Sequence, residues 1–325
     1  MPPALAAVPG TRAAITLDSL SDAARAYAAS SRSPNTARAY EGDLRRFASW
    51  CREHGFAAMP ASPQTVGLYL TALAERGKRP STIRRAKAAI AQAHRLAGHD
   101  PPPTDDARVR SVERGIRREL GTAPAQVRPL LPEELRVAFE QPPASSRAVR
   151  DRAMVLLGFA GAMRRSELVG LAARDIEFSA EGVVIRIRSS KTDPEGQGAR
   201  IAVPFGEHEA TCPVRALRAW LALLRSDATG PLFREVRGRA ILRERASDRA
   251  VARAVKRVAR AANLDADAYS GHSLRSGLAT AAARTGRSDR AIMRQGRWRS
   301  RATVDAYVRA GRMWTDENAA QGVGL

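Results

Sequence analysis

Seven side chains in the second half of this 325-residue sequence stand where their types and spacing could do chemistry. Gly161-Ala162-Met163-Arg164-Arg165-Ser166-Glu167-Leu168 closes an apolar run with an arginine and restarts a helix through Ser-Glu-Leu. His272-Ser273-Leu274-Arg275 sets a histidine and an arginine three residues apart, on one face of a helix. Gly296-Arg297-Trp298 precedes Tyr307 by nine residues, counted from the Trp. Lys191, one of only four lysines, falls in a polar segment between two β-branched runs. There is no HExxH, no Asp/Glu cluster and no Cys/His pair at metal-ligand spacing. Charge at a reacting phosphorus must then come from side chains. A phosphodiester transition state requires fixed cations on its non-bridging oxygens, a nucleophile, and an acid for the leaving oxygen. Arginine supplies the first through its rigid fork. Taken singly, Tyr307 and Trp298 read as packed residues, Arg164 as a cation serving a helix end, and Lys191 as a solvated hairpin tip. Their order and context together point to chemistry.

The elements that must position these residues follow from periodicity. Ser33-Pro34 supplies an N-cap and a first-turn proline, and Ala37, Tyr40, Leu44, Phe47 and Cys51 recur at helical spacing. The opposite face carries Arg38, Arg45, Arg46 and Arg52. Pro80-Ser81 opens a similar helix, with Ile83, Ala86, Ile90 and Ala93 on one side and Arg84, Arg85 and Lys87 on the other. Ser62 to Glu75 and Asp106 to Leu120 read as further helices, so the first 120 residues are expected to be all-helical. Gly121 to Pro132, with three prolines, reads as a linker. Beyond it, a helix starts at Pro132 and a buried one runs through Met154 to Phe159. Val183 to Arg188 and Ala199 to Pro204 then read as a hairpin whose loop holds Lys191. Helices are expected at Pro213 to Leu224, Ser247 to Ala262, Ser273 to Arg284, Ser288 to Gln295 and Ala302 to Gly311. The fold class is mainly α with one small antiparallel β-sheet.

Composition bounds the function. The formal charge is +21 from 54 basic and 33 acidic residues, and 50 of the basic ones are Arg. Residues 1–125 carry +8 and the remainder +13, so both halves favour a polyanionic partner. The longest apolar run, Ala153 to Met163, is far short of the roughly 20 residues that span a bilayer. Cys51 and Cys212 show no disulfide or zinc spacing. A cytoplasmic, nucleoid-associated location is expected, with no metal or other cofactor.

The second half resembles the catalytic domain of the tyrosine recombinases, or phage integrases, which include Xer- and Cre-like proteins. Arg164 and Glu167 match the first arginine segment, Lys191 the hairpin lysine, His272 and Arg275 the His-x-x-Arg box, Trp298 the His-or-Trp position, and Tyr307 the nucleophile. Ser33 to Tyr40 and Ser81 to Arg84 resemble helices of the family's core-binding domain. The resemblance implies that residues 16–120 are a helical DNA-binding domain and 132–313 a mixed α+β catalytic domain. Residues 1–15 would be a disordered lead, 121–131 the linker, and 314–325 a tail packing in trans on a neighbouring protomer. No extra amino-terminal domain like that of lambda-type integrases is expected. Candidate DNA contacts are Thr36, Arg38, Arg45, Arg79, Ser81, Thr82, Arg84, Arg85 and Lys87. The implied reaction is metal- and ATP-independent cleavage and rejoining of double-stranded DNA through a 3′-phosphotyrosine. It implies paired recombination sites and a homotetramer on DNA, with a monomer or weak dimer when free. A type IB topoisomerase-like relaxase and a non-catalytic DNA-binding regulator are the alternatives.

Overall fold

Proline opens the first three of the described helices. In the computed structural model α1 spans Pro34–Glu53, α2 Pro63–Glu75, α3 Pro80–Leu96 and α4 Ala107–Leu120. The structure describes residues 34–121, 127–188, 198–224 and 230–315. The lead at 1–15, the Ser33 cap, residues 122–126, Lys191 with its loop, and residues 316–325 lie outside the described residues. Cα packing divides the chain between Pro124 and Ala125 into two compact units.

In the first unit, Ser62 caps α2 by accepting the Thr65 N–H at 3.0 Å. Asp106 caps α4 by accepting the Arg108 N–H at 2.8 Å. Each satisfies one of the orphan donors of a helix start. The core gathers Phe47, Trp50, Tyr69, Leu70, Ile83 and Ile90. One detail of the helical stripe is corrected: Ala37 is exposed, and the buried partner is Trp50. Residues 35–42 of α1 carry no buried side chain, so the stripe meets the core only from Asp43 onward.

The second unit opens with α5 (Pro132–Ala138), α6 (Ser146–Ala160) and α7 (Arg165–Gly170). Strands β1 (Ile176–Phe178), β2 (Gly182–Ile187) and β3 (Ala199–Pro204) form an antiparallel sheet in sequential order. Its register pairs Ile185 with Ile176 on one side and with Ile201 on the other. Alternation therefore sends Val183, Ile185, Ile187, Ile201 and Val203 into the core. Helix α8 (Pro213–Leu223) follows, its Trp220 indole donating to the Leu232 carbonyl at 2.8 Å. The expectation of one sheet is corrected by β4 (Arg234–Arg237) and β5 (Ala240–Arg245), a second antiparallel pair. Their charged residues show no apolar alternation, and β5 has no fully buried position. Helices α9 (Asp248–Ala261), α10 (Ser273–Arg284), α11 (Asp289–Gly296) and α12 (Arg301–Arg312) complete the described elements. No described helix is long and apolar enough to cross a membrane.

Helix α10 is the element on which the candidate site is built, and its approach to the core depends on Gly277. A Cβ there would stand 2.1 Å from the Leu130 carbonyl oxygen and 3.0 Å from the Phe159 ring. Backbone cannot yield as a flexible side-chain tip does. Gly277→Ala is expected to lower stability by about 2–3 kcal/mol, within the range for overpacking a filled interior. Chemical denaturation checks this, and a midpoint equal to wild type would contradict it.

Candidate functional site

Four chain segments converge here, beginning with the turn between α6 and α7. Arg164 is the N-cap residue of α7, and Glu167 sits at its third position. The Glu167 Oε2 accepts the Arg164 backbone N–H at 2.9 Å, and Oε1 accepts the Arg164 Nη1 at 2.6 Å. This carboxylate thus closes the helix start and fixes the arginine side chain together. Burial alone would push the Glu167 carboxyl upward. The Arg297 and Arg164 charges and the backbone hydrogen bond outweigh it, so its pKa lies below the ordinary value and it is ionised.

Arg275 projects from the first turn of α10 and is 3% exposed. Its guanidinium donates to the carbonyls of Ala162 and, at 2.9 Å, Gly296. The same group lies 4.6 Å from the centroid of the Trp298 ring, a cation–π contact that orients both. Burial, then repulsion from Arg164, lowers its pKa to about 10, which leaves it a full cation at neutral pH. Trp298 itself is buried among Ala162, Ala279, Ile292 and Val304. Gly296 makes room for its ring: a Cβ at 296 would fall 1.8 Å from the Trp298 Cζ3.

His272 is the N-cap residue of α10, one step outside the helix. Its Nε2 lies 2.8 Å from the Tyr307 hydroxyl. Desolvation, then the charges of Arg275, Arg164 and Arg165, hold the imidazole pKa below its usual value. The ring is therefore neutral at pH 7, and in the tautomer protonated on Nδ1 its Nε2 accepts from the hydroxyl. Burial raises the Tyr307 pKa against the opposing pull of Arg275. Helix α12 is held against α10 and α11 by Val304 and Val308. Asp289, at the start of α11, pairs with Arg301 and Arg312 at both ends of α12, each at 2.8 Å.

The structure thus brings Arg164, Glu167, His272, Arg275, Trp298 and Tyr307 into one constellation, while Lys191 lies outside the described residues. Arg297 was not foreseen as a member. Its Nη2 donates to Glu167 Oε2 at 2.8 Å. One arginine among 50 carries no signal by itself, and its part depends on a backbone conformation that residue type does not announce. Among the described residues no group of three or more His, Cys, Asp or Glu could hold a metal ion.

The candidate DNA contacts of the first unit divide into two kinds. Arg45, Arg79, Ser81 and Arg84 are exposed, and Thr82 is half-buried. Arg38 is exposed and donates to Asn35 at 2.6 Å, and Thr36 is half-buried. Arg85 is also exposed, but it grips the buried Asp43 with Nε at 2.7 Å and Nη2 at 3.1 Å. Lys87 pairs with Glu113 at 2.7 Å. Those two side chains tie helices together.

Comparison with known proteins agrees with this arrangement. Residues 128–312 match the model of the phage integrase family, and residues 27–99 match the phage integrase N-terminal SAM-like domain. An integrase/recombinase xerD homolog of Selenomonas ruminantium is 38% identical over 292 residues, covering 88% of this chain and 84% of the relative. Recombinase cre of Escherichia phage P1 is 29% identical, covering 82% and 81%. Among solved structures, a lambda integrase dimer bound to a COC′ core site aligns with a TM-score of 0.59 at 18% identity, over 90% of this chain and 94% of that one. That last likeness bears on fold alone. A family model matching more than half of the chain, and a relative sharing over a third of its residues across most of its length, place this protein: it belongs to the phage integrase family of site-specific tyrosine recombinases.

Proposed function

We propose that this chain cleaves and rejoins double-stranded DNA at paired sites through a 3′-phosphotyrosyl intermediate on Tyr307. The observation that carries the reading is the 2.8 Å contact between Tyr307 Oη and His272 Nε2 beside the buried Arg275. An unperturbed phenol with a pKa of about 10 is a weak nucleophile at neutral pH. The neutral imidazole takes its proton as the oxygen attacks phosphorus. Arg164 and Arg275 hold the non-bridging oxygens, and the Trp298 indole N–H adds a donor, since an indole cannot act as a base. Lys191 protonates the departing 5′ oxygen, a step closed to arginine, which does not release its proton in this range. Glu167 orients Arg164. The P–O bond broken in DNA is replaced by one to Tyr307, so the free 5′-hydroxyl can reverse the exchange on either strand without ATP.

A nicked duplex carrying a target site, whose cleaved end diffuses away, tests this directly. Incubation in the presence of a chelator is expected to yield a covalent protein–DNA product that survives denaturation. Relaxation of any supercoiled plasmid lacking such sites would move the reading to a topoisomerase-like activity. Binding with no covalent product would make the protein a regulator. Exchange between two duplexes needs four cleavages, hence four protomers on paired sites and association with cellular DNA. Native mass spectrometry of the two-site complex is expected to count four chains, and a limiting stoichiometry of two would overturn the tetramer.

A further inference from the structure

Arg297 lies between α11 and Trp298 with φ 55° and ψ 43°, in the left-handed region. Left-handed backbone is strained for a non-glycine residue, which is why Gly or Asn is usual at such helix ends. Three described non-glycine residues have positive φ, and two of them, Ala162 and Arg297, border the site. The side chain is 12% exposed, and it points inward. Its Nη1 donates to the carbonyls of Gly161 at 3.2 Å and Gln295 at 3.0 Å. Its Nη2 donates to Glu167 at 2.8 Å. Its Nε is buried and has no partner among the described residues. A strained backbone, a desolvated cation and an unpaired donor at one residue are each unfavourable for stability. Such combinations persist where the surrounding structure enforces them for a purpose.

The purpose follows from how the Glu167 carboxylate is shared. One oxygen takes the Arg164 side chain at 2.6 Å, and the other takes Arg297 at 2.8 Å together with the Arg164 N–H at 2.9 Å. With Arg297 in place, Glu167 is held from two sides and Arg164 has one fixed direction in which to lie. Without Arg297, the carboxylate keeps only its two bonds to Arg164 and its charge neutralises that guanidinium alone. We propose that Arg297 is a positioning residue for the reacting phosphate: through the shared Glu167 carboxylate it sets the Arg164 guanidinium and keeps one uncompensated positive charge beside it. This proposal rests on the phosphotyrosyl reading above, in which Arg164 contacts the scissile phosphate.

Charge on Glu167 reports the arrangement. The groups that face it are Arg164 on its own turn and Arg297, with Arg275 of α10 beyond them. Arg165 of α7 and Asp248 of α9 pair at 3.9 Å nearby, and His272 with Tyr307 complete the surroundings. Burial pushes the Glu167 carboxyl up, and Arg297 is the largest counterweight. Removing Arg297 therefore raises the pH at which Glu167 takes a proton and releases Arg164.

The test is single-turnover cleavage of the nicked duplex across pH, with thermal unfolding in parallel. Arg297→Gly relieves the backbone and removes the fork. It is expected to melt below the wild type, because Glu167 loses a buried partner, and, assayed well below that melting point, to cleave about 10- to 100-fold more slowly, by analogy with groups that orient metal ligands. The further fall that Glu167 protonation adds below the His272 limb should begin at higher pH, and Arg297→Lys, which restores the charge, should return that second fall toward wild type. Arg297→Gln, neutral but space-filling, is read in the same way and decides the matter should the glycine variant fail to fold. Wild-type cleavage with that second fall unmoved in either neutral variant overturns the proposal. Absence of covalent product from the wild-type chain instead overturns the phosphotyrosyl reading, so the two failures are told apart.

Discussion

Tyr307→Phe is expected to form no covalent product on nicked DNA while binding the same duplex within a few-fold of wild type. The substitution removes one oxygen and its 2.8 Å contact with His272. The ring remains packed against the cluster of Val304, Val308 and Ala279. A single partly exposed hydrogen bond contributes about 1 kcal/mol, so the fold should survive almost unchanged. No other described hydroxyl is bonded to the His272 ring to take over the attack; Ser270 and Ser276 meet only its backbone. A covalent adduct that persists in the variant places the nucleophile elsewhere. The same pair fixes the pH response of the wild type. His272 is surrounded by Arg275, Arg164 and Arg165, which with desolvation hold it below the ordinary histidine range. Only the neutral ring accepts the phenolic proton. Cleavage should therefore be constant through pH 7 and fall only at a pH lower than the ordinary histidine value of about 6.5.

The legibility of this site in the sequence was uneven, for reasons that particular residues make plain. Helix α1 and the β2–β3 hairpin announce themselves because one face of each must be buried, and burial writes a period into the chain. The β4–β5 pair writes none: its strands carry Arg234, Glu235, Arg237, Arg243, Glu244 and Arg245. Pairing there is through backbone, and β4 is fixed from behind by Arg150, whose Nη1 donates to the Arg234 carbonyl at 3.0 Å. The site residues were legible as an ordered set because chemistry constrains their types. Arg297 was not, since its contribution comes from a left-handed φ that an arginine adopts only under the constraint of its neighbours. Arg85 and Lys87 illustrate the same limit on a helix face. Periodicity marks them as outward-facing, but their partners Asp43 and Glu113 come from helices that only the folded chain brings near.

Arg275→Lys is expected to reduce single-turnover cleavage by about 10²–10³-fold, the loss seen when one preorganised donor to a developing oxyanion is removed. Charge alone is not what the position supplies. The Arg275 fork donates Nη1 to the Ala162 carbonyl and Nη2 to the Gly296 carbonyl at 2.9 Å. Its plane also lies over the Trp298 ring, 4.6 Å from the centroid. An ammonium has three donors on one atom and no plane, so it cannot hold two carbonyls 134 residues apart in sequence and still face a phosphate. The lysine variant keeps the cation and should retain most of the affinity for uncleaved DNA. Arg275→Ala goes further, because both carbonyls lose their strongest donor inside the protein. Each unsatisfied buried acceptor costs about 1–3 kcal/mol, so this variant should also unfold at lower denaturant concentration. Comparing the two separates the requirement for geometry from that for charge. Equal cleavage by the lysine variant and the wild type would mean that Arg275 acts on the phosphate as a point charge, and that its two carbonyl bonds serve only the fold.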